Sequence, residues 1–284
     1  MQLVASLVIL AGACIFLYPH VASWYSLQEQ ARATEAAQRA MQLPPNDKPS
    51  TRAEALDAAR RYNEQLASGA LFQANANVPT GDGVRSDDTL VYEQMLDLTG
   101  AGFMGRLRYA ALDIDLPVYH GTSDETLGRG VGHLEGTSLP IGGVGTRSVL
   151  TAHRGLPTAT LFDDLDKAVA GQTFTVSVLD HVVTYRVTEV QVIKPEDTQA
   201  ILPDPGRDLL TLVTCTPLGV NSHRILVTGE RITPTPPEEL AASVAVPEGP
   251  GFPWWAVALG GTVVLLGAYI WRSGYPRAAA PRRA

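Results

Sequence analysis

Cysteine is nearly absent from this 284-residue chain, which has only Cys14 and Cys215. Cys14 lies inside an N-terminal apolar run, which keeps the two thiols apart and excludes a fold stapled by disulfides. Charge is missing from two stretches. Met1 to Tyr18, MQLVASLVILAGACIFLY, carries none, and neither does Phe252 to Trp271, FPWWAVALGGTVVLLGAYIW. The second is long enough for the roughly 30 Å hydrocarbon core of a bilayer. Its Trp254, Trp255, Tyr269 and Trp271 stand at the two ends, where aromatic rings favour the membrane interface. Acidic residues are missing beyond it, where Arg272, Arg277, Arg282 and Arg283 follow. The positive-inside rule therefore places the C-terminus in the cytoplasm and the body of the chain outside. The first run lacks preceding basic residues and a convincing Ala-x-Ala cleavage site. A retained anchor is the expectation, and a cleaved signal peptide is the rival reading.

Net charge is −7. The four tail arginines contribute +4, so residues 1–271 carry −11, an acidic exterior that argues against nucleic acid as a partner. The arginines read as a topology signal beside anionic lipid. No internal repeat is present.

Between the apolar runs the pattern changes several times. Tyr18 to Ala40 is rich in Ala, Glu, Gln and Arg and predicts a helix leaving the membrane, with Pro19 restricting its first turn. Leu43 to Thr51, LPPNDKPST, breaks it. A second helix is expected over Arg52 to Leu66, with Ala and Leu at helical spacing. Ala67 to Asp88 has no periodicity and is long for a connector; a lid-like binding segment and a disordered linker are both open. The core is expected over about Tyr92 to Thr233. Leu107–Val118, Arg147–Ala152, Thr173–Leu179, Val182–Ile193, Leu209–Cys215 and Arg224–Ile232 are short, rich in Val, Ile, Thr and Leu, and bounded by turn residues. Leu179 to Val182 reads as a tight hairpin. Six to eight strands in so short a segment predict a closed barrel or a sandwich. A Pro-rich stretch from Thr233 then leads through Gly251 to the second apolar run.

Chemistry concentrates around Cys215, in Thr211-Leu-Val-Thr-Cys-Thr-Pro-Leu-Gly-Val-Asn-Ser-His-Arg224. A thiol near a fixed cation is a candidate nucleophile, because the thiolate is the reactive form; a buried structural cysteine is the bland alternative. Six histidines compete to partner it. His20 adjoins the membrane run and His181 sits at the hairpin, so both are expected in solvent. His120, His133 and His223 stay open. His153 stands out because it follows the strand Ser148-Val-Leu-Thr-Ala152 and enters a turn, a position that projects a polar group from a rigid base. Thr214 is placed either to meet substrate backbone or to face the core. Asp163, Asp164 and Asp166 suggest a cation, yet carboxylates in one short turn more often cap or stay solvated, and no metal is assigned.

Four ordered motifs carry a resemblance. Leu116-Pro-Val-Tyr-His-Gly-Thr-Ser123, Gly132-His-Leu-Glu-Gly-Thr-Ser-Leu-Pro140, Ala152-His-Arg-Gly-Leu-Pro157 with Leu161-Phe-Asp-Asp-Leu-Asp-Lys167, and Thr211-Leu-Val-Thr-Cys215 followed by Thr-Pro and Arg224 are similar to those of a class C, pilus-assembling sortase. The resemblance implies a mainly β protein: a closed eight-stranded sortase-type β-barrel with short helices, an N-terminal helical stalk and two transmembrane helices. The implied organisation is an anchor at 1–18, a stalk at 19–66, a lid-like loop at 67–91, the barrel at 92–233, a linker at 234–251, a membrane helix at 252–271 and a basic cytoplasmic tail at 272–284.

The resemblance also implies roles: Cys215 as nucleophile, His153 as acid and base, and Arg224 as oxyanion or substrate-orienting group. It implies cleavage of an LPxTG-like sorting signal on a pilin or surface protein, transfer of the acyl group to a pilin lysine, and no cofactor. Anchoring to peptidoglycan is the nearest alternative, and a non-enzymatic assembly scaffold is the alternative of another class. Two departures stand out. Ala67 to Asp88 lacks the Asp-Pro-aromatic lid motif common in class C, leaving Phe72 as the candidate plug, and Tyr109-Ala110 replaces an expected Ile-Pro.

Overall fold

Eight strands alternate apolar residues between two faces and close on themselves, so that one face of every strand fills a common interior. They are β1 (Phe103–Tyr109), β2 (Ile114–His120), β3 (Val131–His133), β4 (Arg147–Thr151), β5 (Thr173–Val178), β6 (His181–Ile193), β7 (Leu209–Thr216) and β8 (His223–Ile232). Their order around the closed barrel is β1-β2-β3-β4-β7-β8-β6-β5. The β2–β3 and β4–β7 pairs are parallel and the other pairs are antiparallel. The computed structural model describes residues 2–66, 91–97 and 99–274.

The interior holds Leu107, Val118, Leu150, Phe174, Val176, Val183, Tyr185, Leu210, Leu212 and Val227, each nearly or wholly excluded from solvent. A second apolar group forms on the outside of the wall. Leu134, Val149, Val213 and Leu226 pack there with Ile201 from the β6–β7 connection, and Ile193 and Ala200 border them. Alternation explains the split: neighbours in sequence such as Leu212 and Val213, or Leu226 and Val227, point to opposite faces.

Eight strands in a closed barrel match the expected fold, with local corrections. Leu107–Val118 is not one strand. Ala110–Leu112 forms a single helical turn, Asp113 takes a left-handed conformation at φ 55°, and the chain reverses, so that β1 and β2 pair antiparallel. Asp tolerates that backbone better than most residues. β3 was not foreseen because three residues carry no readable period. The β5–β6 hairpin turns at Leu179 and Asp180 as expected, but His181 is not in solvent: its Nε2 lies 3.0 Å from Ile141 O and burial lowers its pKa.

Outside the barrel, the apolar run and the following polar helix are one element. Helix α1 (Gln2–Ala40) continues through Pro19 for 39 residues, about 58 Å at 1.5 Å per residue. One proline removes a single ladder bond, and the flanking turns retain theirs. Helix α2 (Pro49–Gln65) and the short α3 (Asp124–Arg129), capped by Ser123, follow. The expected linker contains helix α4 (Pro237–Val244), and α5 (Trp254–Gly274) ends the described chain. Two helices are long and apolar enough to cross a membrane, over Leu3–Ala40 and Trp254–Ser273. The expected lid segment, with Phe72, lies outside the described residues, as do Arg277, Arg282 and Arg283.

Candidate active site

Cys215 and Arg224 are direct cross-strand partners in the β7–β8 register. Directly opposed residues share a face, with Cβ atoms about 4.5–5.5 Å apart. The shared face is the outer one, continuous with Val213 and Leu226, which are likewise opposed. Arg224 Nη1 donates to Asn221 O at 2.9 Å and to His223 O at 3.0 Å, which orients the guanidinium through the loop before β8. It forms no ion pair among the described residues, so its charge is not neutralised by a carboxylate there.

His153 arrives from the other side of β7. In the parallel β4–β7 pair Thr151 is level with Val213. Ala152 N donates to Val213 O at 3.2 Å, and the Thr214 hydroxyl donates to Ala152 O at 2.8 Å. His153 therefore leaves the strand at the level of Cys215. Its carbonyl accepts from Phe162 N at 3.1 Å, closing the 153–162 turn. The half-buried imidazole has its pKa lowered by desolvation, opposed by the charge of Asp124. The neutral ring, able to accept a proton, is thereby favoured.

The other histidines are already engaged. His133 is fully buried: its Nε2 lies 2.9 Å from Ser138 O and its Nδ1 lies 2.9 Å from the Tyr92 hydroxyl. His120 sits between Gly102 O at 3.0 Å and Met95 O at 2.9 Å. His223 meets Ser222 Oγ at 2.9 Å. Only His153 stands level with Cys215 across the β4–β7 pair.

Thr214, a candidate for meeting substrate, is 1% exposed, and its hydroxyl is directed to Ala152 O. It links the two strands from the interior face. The aspartates after His153 are likewise accounted for: Asp163 Oδ1 accepts from Gly155 N at 2.5 Å, Asp166 pairs with Arg154 at 2.5 Å, and Asp164 pairs with Lys167 at 2.8 Å. Among the described residues no group of three or more His, Cys, Asp or Glu is arranged to hold a metal ion. Arg154 escaped sequence reasoning, although its position directly after His153 was visible; its partners lie on two segments, the 163–166 turn and the end of β7, that only folding brings to it.

A nucleophile, a proton carrier and a fixed cation at one end of an apolar outer face suit acyl transfer from a peptide. Comparison with known proteins agrees. The sortase domain family model matches residues 107–232. Sortase C-1 from Actinomyces oris is 44% identical in a match covering 65% of this chain and 99% of that one, with a TM-score of 0.58. Sortase C1 from Streptococcus agalactiae is 38% identical, covering 72% and 100%, with a TM-score of 0.62. Sortase A of Streptococcus agalactiae serotype III (strain NEM316) is 30% identical over 116 residues, 40% of this chain and 47% of that protein. The chain spans 47% to 64% of the length of the curated relatives it matches. With near-complete coverage of class C structures at up to 44% identity, the chain belongs to the sortase family, in its class C branch.

Proposed function

We propose that this protein is a membrane-anchored cysteine transpeptidase that joins pilin subunits outside a Gram-positive-type cell. The observation that carries the reading is the register: Cys215 faces Arg224 across β7–β8, and β4 delivers His153 to the same level. The substrate is an LPxTG-like sorting signal, presented to Cys215 at the end of β7 beside the buried outer cluster of Val213 and Leu226.

Cys215 Sγ attacks the threonine carbonyl carbon, forming a C–S bond as the Thr–Gly C–N bond breaks. His153 takes the Cys215 thiol proton and passes it to the departing amine, and Arg224 stabilises the oxyanion that develops between. A pilin lysine amine then attacks the thioester. His153 takes the amine proton, an isopeptide bond forms and the thiolate leaves. Two membrane helices hold the enzyme, with the barrel outside and the arginine tail inside. A second reading keeps the same acyl-enzyme and transfers it to peptidoglycan.

The test is intact-mass spectrometry of the full chain incubated with a sorting-signal peptide. Wild type is expected to gain the acyl mass on the peptide carrying Cys215, and Cys215→Ala to gain none and make no isopeptide product when amine is added. Turnover by Cys215→Ala would end the covalent reading. A product joined only to peptidoglycan stems would replace the pilin acceptor with the second reading.

A further inference from the structure

Arg154 follows His153 in a surface turn, yet its side chain is nine-tenths buried, at 10% exposure. Each of its guanidinium nitrogens meets a different residue, two in the 163–166 turn and one on β7. Nε donates to the Asp163 carbonyl at 2.9 Å, Nη2 pairs with Asp166 Oδ2 at 2.5 Å, and Nη1 donates to Thr216 Oγ1 at 3.4 Å. The last of these contacts crosses between strands. Arg154 is the covalent neighbour of His153, and Thr216 is the covalent neighbour of Cys215.

The backbone ladder between β4 and β7 ends just before this point, with Ala152 N on Val213 O and the Thr214 hydroxyl on Ala152 O. Beyond it, the fork of Arg154 is the next link across the gap. His153 and Cys215 are therefore held between two cross-links, one on either side along the chain. Asp163 and Asp166, which look like cation ligands by type, instead fix the fork from behind. Asp163 uses its carboxylate on Gly155 N and its carbonyl on Arg154, so the turn cannot shift without breaking both bonds.

Resting on the roles proposed above for Cys215 and His153, we infer that Arg154 is a positioning residue, whose three-armed fork holds the histidine turn onto the cysteine strand and sets where the imidazole stands relative to the thiol. Lysine cannot replace it, because a single ammonium offers a point charge in place of a planar fork with directed donors. Displacing a catalytic group by about 1 Å can cost roughly 100-fold in rate. Displacing the proton carrier slows the chemical step and removes no contact assigned to the peptide, so the loss belongs in kcat and not in KM.

The experiment uses the full chain in detergent, with Arg154→Lys, Arg154→Gln, Thr216→Val and Cys215→Ala compared on a sorting-signal peptide plus an amine. Cys215 alkylation by iodoacetamide is followed across pH by mass spectrometry of the peptide that carries it. Both Arg154 variants are expected to lose roughly 10- to 100-fold in kcat with KM little changed, and their alkylation profiles to move, since the imidazole that assists thiol ionisation is displaced. Thr216→Val removes one hydroxyl, leaves the Asp163 and Asp166 arms in place, and is expected to show a smaller loss of the same kind.

Wild-type kcat and an unmoved alkylation profile in Thr216→Val and Arg154→Lys would overturn the inference. So would a kcat loss that tracks a fall in thermal midpoint with the profile unmoved, because that describes general loosening. Full turnover by Cys215→Ala would remove the nucleophile assignment and the clamp with it. A dead Cys215→Ala beside unaffected Arg154 variants removes the clamp alone.

Discussion

His133 is the residue whose surroundings most constrain its protonation. Full burial drives its pKa from 6.5 to about 4, with the Ser138 carbonyl acting in the opposite sense. Since Nε2 faces a carbonyl, it must donate, and Nδ1 accepts from the Tyr92 hydroxyl, which itself accepts from Gly121 N. The Ser138 carbonyl thus selects the neutral Nε2–H tautomer, and the single Tyr92 hydroxyl proton is shared between Nδ1 and His133 O, 3.0 Å away. A folded-state pKa below the unfolded value means that the unfolded chain binds the extra proton. Stability is thus complete above about pH 6.5 and is lost as pH falls toward 4, by on the order of 3 kcal/mol from this group. His153 and His181 shift in the same direction for the same reason and add to the slope. Urea unfolding at pH 7 and pH 4.5 is expected to show the loss, and His133→Asn to show a smaller loss between those two values. An equal slope in the variant would place the titration elsewhere. Histidine identity was legible in the sequence, but which histidine was free was not: His120, His133 and His153 all sit near strand ends, and only packing shows that carbonyls and a tyrosine occupy the first two.

At the scale of elements, the parallel β2–β3 pair shows how little side-chain volume the barrel tolerates. A Cβ placed on Gly132 would lie 2.3 Å from Gly121 O and 3.0 Å from Leu127 Cδ2. A main-chain oxygen cannot rotate away as a side chain can, so strand and turn must separate. Gly132→Ala is expected to destabilise the chain by about 1–3 kcal/mol, read as a lower urea midpoint at unchanged slope. No change would show that the turn at Gly121 yields freely. Strands with long β-branched runs, such as β6, were legible because alternation repeats several times within them. β3 was too short to show a period, and the β1–β2 boundary was hidden because the turn after Tyr109 is built of Ala110, Ala111 and Leu112, with no Gly or Pro to mark it. The break depends on Asp113 accepting a left-handed backbone, for which an isolated Asp is a weak signal.

For the molecule as a whole, the segment joining barrel to second membrane helix is docked. Glu239 accepts from Arg108 Nη1 at 3.2 Å and from Thr175 Oγ1 at 3.0 Å. Ala245 O accepts from Arg106 at 2.7 Å, Ser243 O from Gln38 at 3.4 Å, and Gly251 O from Trp24 at 2.8 Å. The strap thus binds the β1–β5 wall at one end and α1 at the other, where Trp24 and Trp255 meet edge to face. Composition reads it as a linker because, Glu239 apart, these contacts are to main-chain oxygens, which any residue carries. Glu239→Ala removes one acceptor of two bonds, and hydrogen exchange at 237–244 is expected to rise about tenfold, while barrel amides and peptide turnover hold. Exchange unchanged at that helix would show that α4 is held by its other contacts. Protease added to intact cells is expected to remove barrel epitopes and spare a tag on the arginine tail. The reverse pattern would invert the proposed orientation.

Sequence alone determined the two membrane-length helices, the strand-rich core and the Cys215–Arg224 pair. These depend on local quantities: the length of an uncharged run, alternation within a strand, and a hairpin short enough to bring its own ends together. The partnership with His153 depended on the tertiary structure. It comes from a parallel strand joined to β7 by a long connection, and parallel pairing leaves no turn from which register can be read. Barrel closure constrains that register, because a one-residue slip of β4 would turn Leu150 outward and Val149 inward.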